Sequence, residues 1–305
     1  MSHLSNPVFH DEAAAITEIE AILWPNGPVC PRCGGMDRIT KVNGKTARPG
    51  LWRCGPCKRQ FTVKIGTIFE SSHIPMNKWL QVIYLLASSK KGISSHQIMR
   101  TLDIEYKSAW FITHRIREAM KTSFFSKLGG EGKIVEIDET FIGTKAGYPK
   151  KRQGYAHKRA VMTLIERSGP AKSFHVEGTS AKDLLPIIKA NVDPKSRIMT
   201  DEAGQYAHLR RDFASHEFVT HGSGEYVRDD VHTNTAEGFY SVFKRGMKGI
   251  YQHCAEHHLH RYVGEFDFRY NNRVRNGVND SERSVRIIRG SAGKRLLFRA
   301  QIGKR

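Results

Sequence analysis

The chain has 305 residues, enough for one large domain with one or two small ones, and 39% of them are hydrophobic, an ordinary fraction for a packed core. A formal net charge of +19 is far from that of a typical enzyme acting on small molecules, so a polyanion is the first partner to test. No apolar run reaches the ~18 residues of a membrane span, and the amino terminus lacks the charged-then-apolar pattern of a secretory signal. A cytoplasmic location without membrane contact is the expectation.

Residues 1–24 contain acids but no Lys or Arg, and ITEIEAIL predicts a short amphipathic helix before Pro25. Residues 25–72 follow, with CPRCGG, a polar span, and LWRCGPCKRQFTVKIGTIFE. Cys30 and Cys33, a gap of 20 residues, then Cys54 and Cys57 have the spacing of four thiolates around one tetrahedral Zn²⁺. Two residues between thiolates allow a tight turn, which Gly34, Gly35 and Gly55 suit. A closed set of ligands makes the ion structural; a redox pair would need only one C-x-x-C and a different strand–helix context. NGKT at 43–46 lacks the upstream glycine of a phosphate loop and reads as a turn between the knuckles.

Over residues 75–125 the apolar period becomes helical, with Trp79, Val82, Ile83 and Leu86 three and four apart. In KGISSHQIMRTLDIEYKSAWFITHRIREAM, Ser94 and Gln97 mark a helix start, that helix runs to about Leu102, and a second begins near Tyr106. This is the outline of a helix-turn-helix. Ala109, Ile112, Ile116 and Met120 share one face of the second helix. That leaves Lys107, His114, Arg115, Arg117 and Lys121 as a cationic surface for a major groove, with Lys107, Arg115 and Arg117 as the DNA contacts.

After GGEG at 129–132, strand-like runs at IVEIDETFIG, HKRAVMTLIER, AKSFHVEG, RIMTDEA and EFVTHG surround a helical SAKDLLPIIKANV, and two helices follow near 235–248 and 256–272. Mixed strands and helices predict an α/β core over 130–275. The last residues, 276–305, are basic with weak periodicity and read as a tail.

Asp138 stands in the middle of the apolar run KIVEIDETFIG. A carboxylate taken from water costs several kcal/mol unless a cation or donors compensate it. Asp201 closes a later strand, and Glu237 begins a helix, with 62 and then 35 residues between the three acids. Asn234 and Glu237 also match a helix cap with its capping-box acid. Glu136, Glu139 and Glu202 stand beside the trio; strand alternation puts Asp138 opposite the face of Val135, Ile137 and Phe141, and a slip of one residue would exchange the roles.

This order of a strand-centred Asp, a strand-end Asp and a helix-borne Glu resembles the DDE transposases and integrases. The CPRCGG…WRC…C ribbon, the helical pair, IDET, TDEA, HTNTAEGFYSVFKRG and HLHRYVGEFDFRYNNR together resemble the zinc-ribbon insertion-sequence transposases of the ISXO type, over residues 25 to about 275. The resemblance implies a multidomain chain: a zinc ribbon and helix-turn-helix, then an α/β ribonuclease H-like core. It implies Asp138, Asp201 and Glu237 as catalytic acids holding two Mg²⁺ or Mn²⁺ ions, with one structural Zn²⁺. It further implies double-stranded DNA, both terminal inverted repeats and target, as partner of a homo-oligomer at the bacterial nucleoid.

The physics of the reaction agrees, since phosphodiester attack needs a deprotonated oxygen nucleophile and a stabilised leaving oxygen, which two divalent ions supply. Lys244, two helical turns after Glu237, and its neighbour Arg245 can reach a phosphate near the metals. Cys254, His257, His258 and His260 point in different directions on a helix and read as surface or DNA-contacting groups rather than a second zinc site.

Overall fold

In the computed structural model, which describes residues 3–121, 126–145, 147 and 154–296, the chain divides into a unit of residues 1–122 with 277–305 and a unit of residues 123–276. The first unit opens with α1 (Glu12–Leu23), whose N-terminal amide at Ala14 is capped by the Asp11 carboxylate at 2.6 Å. Three short strands, β1 (Ile39–Lys41), β2 (Trp52–Cys54) and β3 (Gln60–Phe61), form an antiparallel sheet in that order. They bury little besides Cys30, Cys54 and Phe61, packed against Trp24, Ile39 and Trp52. Next comes α2 (Met76–Ser88), which buries Trp79, Val82, Ile83 and Leu86 along the stripe the sequence marks. Then α3 (Ser95–Leu102) starts where the Ser94 hydroxyl accepts from Gln97 N at 3.1 Å and ends at Asp103, which turns the chain with φ +48°. α4 (Tyr106–Met120) follows after two residues.

The second unit is built on five strands: β4 (Ile134–Ile142), β5 (Arg159–Glu166), β6 (Ala171–Val176), β7 (Arg197–Asp201) and β8 (Ser215–Val219). Their order is β6-β5-β4-β7-β8; β4, β5 and β6 run antiparallel, whereas β7 lies parallel to β4 and β8 parallel to β7. The crossover from β6 to β7 is α5 (Ala181–Asn191), started by a Ser180–Asp183 capping box. Two more helices complete the unit, α6 (Asn234–Gly246), which continues into a π-helical turn at Met247–Tyr251, and α7 (Leu259–Asn271).

The pleat of β4 divides the core in two. Val135 and Ile137 pack with Leu164, Leu184, Ile188 and Ile198 on the α5 side. Ile142 lies on the other side with Val161, Ile165, Ala236, Phe239 and Phe243, under α6 and α7. Asp138 is in register with Thr163 of β5 and on the same side of β4 as Ile142, four residues along, as alternation requires. The outer strand β6 does not end in open hydrogen-bonding groups: the Asp267 carboxylate of α7 accepts from Ser173 N at 2.8 Å, and Asn271 pairs with both the N–H and C=O of Ala171.

Two expectations need correction in the first unit. Residues 280–289 are not part of a tail but form α8 (Asp280–Arg289), capped by Asn279 and burying Ile287 and Ile288 against α1, α2 and α4. Its apolar stripe is only a few residues wide and is hidden in the sequence among arginines. The cationic face of α4 is also not free, since His114, Arg115 and Arg117 are all buried. Arg115 donates to the carbonyls of Ile68 and Glu70 at 2.7 and 2.8 Å, and burial lowers its pKa. Its side chain therefore ties the segment after the ribbon to α4. Neither Arg115 nor Arg117 faces a groove from this position, whereas Lys107 is exposed.

Candidate active site

The four cysteines meet. Cys30 and Cys33 precede β1, Cys54 ends β2, and Cys57 lies in the turn before β3. All four Sγ atoms lie within 4.8 Å of one another, with Cys30–Cys57 at 3.7 Å and Cys33–Cys54 at 3.6 Å. Thiolates about 2.3 Å from a tetrahedral zinc stand about 3.8 Å apart, so the set fits that ion. Two glycines make the approach possible: Gly34 holds φ +71°, and a Cβ on Gly55 would sit 2.7 Å from the Arg38 carbonyl oxygen. Burial opposes ionisation of Cys30, yet the N–H groups of Arg32 and Cys33 and the adjoining thiols bring it down to about 6. Cys54 has an N–H from Cys57, but burial and its thiol neighbours push it up to about 12. One thiolate thus forms readily while Cys54 is held protonated; a dication among them removes that conflict.

The acids gather on the second unit. Asp138 is central on β4, Asp201 is the last residue of β7, and Glu237 is exposed in the first turn of α6. Partial burial, then the charges of Glu139, Asp201 and Glu237, push the Asp138 carboxyl up to about 7. The charges of Asp201 and Glu237 thus both reach Asp138. Lys244 is half-buried and Arg245 exposed two turns further along α6.

Each neighbouring acid has a different occupation. Glu136 is fully buried and takes over the start of α6, accepting from Thr235 N at 2.8 Å, Thr235 Oγ1 at 2.8 Å and Ala236 N at 3.1 Å. Its charge is met by Arg167, whose Nε lies 2.7 Å away, and by the helix dipole. Arg167 also donates to the carbonyls of Asp230 and His232, pinning the approach to α6. One turn past Glu237, the Tyr240 hydroxyl donates to the carbonyl of Asp138 itself at 2.5 Å. The Glu237 backbone is thus held between two ties to β4, one on each side of it. The capping-box alternative for Glu237 does not occur: the cap residue is Thr233, with no side-chain bond, and the capping acid comes from β4.

Glu139 sits on the opposite pleat from Asp138. Burial, with the charge of Asp201, raises it to about 7, against the opposing pull of the nearby Tyr206 hydroxyl and of Gln205 Nε2, which donates to it at 3.3 Å. Glu202 accepts from His221 N at 2.8 Å and Gly222 N at 2.9 Å, which, with the N–H of Gly222 first, hold its carboxyl below the ordinary range. Neither the cap role of Glu136 nor the parts of Arg167 and Tyr240 can be read from sequence, because each is a contact between residues about 30 to 100 positions apart.

Comparison with known proteins agrees with this layout. A family model described as the ISXO2-like transposase domain matches residues 127–271, and one described as the transposase zinc-ribbon domain matches residues 10–60. The chain thus carries a transposase zinc-ribbon domain followed by an ISXO2-like transposase domain. An uncharacterized protein in the transposable element ISH50 of Halobacterium salinarum is 28% identical over 257 residues, covering 78% of this chain and 84% of that one. A solved structure, the Mos1 strand transfer complex, matches over 63% of this chain and 76% of that chain at 13% identity, with a TM-score of 0.21 that carries no weight for the fold. In the transposase, the zinc-ribbon match contains the four clustered cysteines, which supports one structural Zn²⁺, and the transposase-domain match contains all three acids. Among its described residues no helix is long and apolar enough to cross a membrane.

Proposed function

We propose that this transposase binds the ends of an insertion sequence and cuts and joins DNA at a divalent-metal centre held by Asp138, Asp201 and Glu237. What carries the reading is the placement of the three carboxylates on β4, β7 and α6 of one unit, near enough that the charges of Asp201 and Glu237 both raise Asp138, with no cationic side chain among the causes. An all-oxygen, anionic and partly open set suits Mg²⁺ or Mn²⁺ better than softer metals. When bound, two such ions lower the pKa of an attacking water or 3′-hydroxyl and stabilise the leaving oxygen. The chain's own residues do the rest: Glu136 and Tyr240 hold Glu237 in register with Asp138, and Lys244 and Arg245 offer charge to phosphates beside the acids.

The mixed sheet, three antiparallel strands and then a helical crossover to two parallel ones, supports a ribonuclease H-like core. In the first unit, α3, the short turn at Asp103 and α4 support a helix-turn-helix, with Lys107 rather than Arg115 or Arg117 left for the backbone of the DNA. Work on paired element ends calls for more than one copy, so the active form is an oligomer on DNA. The test is incubation of purified protein with supercoiled plasmid carrying its gene and flanks, in Mg²⁺ or in EDTA, beside Asp138→Asn, with 3′ ends mapped by primer extension. Metal-dependent nicks at repeat ends that vanish in the variant are expected; tight binding without cleavage under any divalent metal would instead make the protein a DNA-binding regulator.

A further inference from the structure

We infer that a second site on the transposase domain, the cleft beside the far end of α6, receives one unpaired nucleotide of the DNA strand that passes the acids; this rests on the reading just given. The cleft has a volume of about 480 Å³. Its walls come from the end of β4, the start of β5, the π-helical turn, the loop at 252–255 and the start of α7. Ile142, Met247 and Leu259 are apolar and largely buried, while Arg159 and Lys248 supply two positive charges. Among the described residues no carboxylate lines it; the nearby Glu256 stands 3.6 Å from Arg159 Nε, on the half-exposed rim.

The walls are specially made. Arg159 is fixed by donating Nη1 to the Cys254 carbonyl at 2.6 Å, and its buried Nε has no hydrogen-bond partner among the described residues. Gly143 lies against it at φ +60°, where a Cβ would come within 3.2 Å of Nη1. Across the cleft, α6 gives up its regular pitch at Met247–Tyr251, and Gln252 takes φ +53° and ψ −58°, a conformation rare for any residue with a side chain. π-helical turns and such backbone outliers are kept where the surrounding structure uses them.

The chemistry selects the occupant. A double helix is too wide for a cleft of this size, whereas a single base with its phosphate needs an apolar floor and one or two cations. The place also suits a strand already at the acids. Ile142 is four residues beyond Asp138 on the same side of β4, about 13 Å along an extended strand. Met247 is ten residues beyond Glu237, about 15 Å along a helix. At about 3.4 Å per nucleotide of a stacked strand, either path covers roughly four nucleotides.

Cys254 borders the cleft, is partly exposed, and is the one cysteine outside the zinc cluster, so it can report occupancy. The zinc-loaded full chain would be treated with iodoacetamide, and the rate of Cys254 alkylation followed by mass spectrometry. Three samples are compared at concentrations that saturate a gel shift: no DNA, a blunt duplex, and the same duplex with a short single-stranded 3′ extension. The extension should slow alkylation by about tenfold or more, the change expected from a site occupied about nine-tenths of the time. The blunt duplex should leave it within about twofold, and the exposed Lys248→Glu, with unchanged thermal unfolding, should lose the protection while DNA stays bound. Equal protection by blunt and extended DNA, or none while both are bound, would overturn the nucleotide pocket and leave the transposase reading standing. Absence of any gel shift would reject the DNA reading itself, and the pocket with it.

Discussion

Four thiols in the ribbon meet as one close cluster, whereas the three carboxylates of the second unit are linked through the charges that raise Asp138, and the two sets are built in opposite ways. The thiols come from two short turns close in sequence, lie within 4.8 Å of one another, and include two fully buried members. The carboxylates come from three elements far apart in sequence, and none is fully buried. A closed ligand set leaves no position for a substrate, whereas an open one can share its ions with DNA. The difference also appears in what surrounds each cluster: glycines and strand ends serve the thiols, while Glu136, Arg167 and Tyr240 act to hold a helix for the acids.

The comparison predicts the largest effect at the closed cluster. Cys54→Ser should release zinc and unfold the ribbon, because structural zinc contributes about 10–16 kcal/mol in small domains. Metal analysis should then give no zinc, and a protease should cut within residues 25–72 while residues 126–276 keep their resistance. At the open cluster, Asp138→Asn should leave folding and DNA binding intact but lower the cleavage rate by more than the ~10–100-fold typical for groups that merely orient metal ligands. Glu136→Gln should fall inside that ~10–100-fold range, with a higher Mg²⁺ concentration for half-maximal cleavage, since α6 loses an anion at its start.

A smaller effect concerns pH. Asp138 and Glu139 are raised to about 7 from ordinary values of 3.8 and 4.5. Groups raised in the folded state contribute stability that is full below the unfolded values and lost as pH rises through about 7. Without divalent ions, the melting temperature of the core should therefore fall between pH 5 and pH 8. Mg²⁺ should restore several degrees at pH 8 and almost nothing at pH 5, as calorimetry would show. Smallest of all, Glu202→Gln should leave cleavage and melting close to those of the unaltered chain, because this exposed carboxylate only secures the loop at His221 and Gly222.

Much of this was legible in the sequence because it is local. The two C-x-x-C pairs, the strand that carries Asp138, and the helices at 95–102 and 234–246 follow from spacing and period. What failed was the assumption that a basic residue faces water. Arg115 and Arg117 stand at exposed positions on the helical wheel of α4 drawn alone, but the segment at Ile68–Glu70 and α8 cover that face. The arginines of α8 disguised a helix as a tail for a different reason: Arg286 and Arg289 do face water, and only Ile287 and Ile288 between them are buried. The alternation along β4 did place Asp138 away from Val135 and Ile137, yet only the folded chain assigns Glu136 to the cap, since its partners lie about 100 residues away.

The most direct test follows zinc and cleavage in one sample. Purified transposase would be freed of loosely held ions with a weak chelator, its zinc counted, and plasmid cleavage at the element ends measured before and after Mg²⁺ is returned. The account predicts one zinc per chain throughout, with cleavage absent without Mg²⁺ and restored by it. Cleavage that persists without Mg²⁺, or that tracks zinc content instead, would contradict the division between a closed structural site and an open working one.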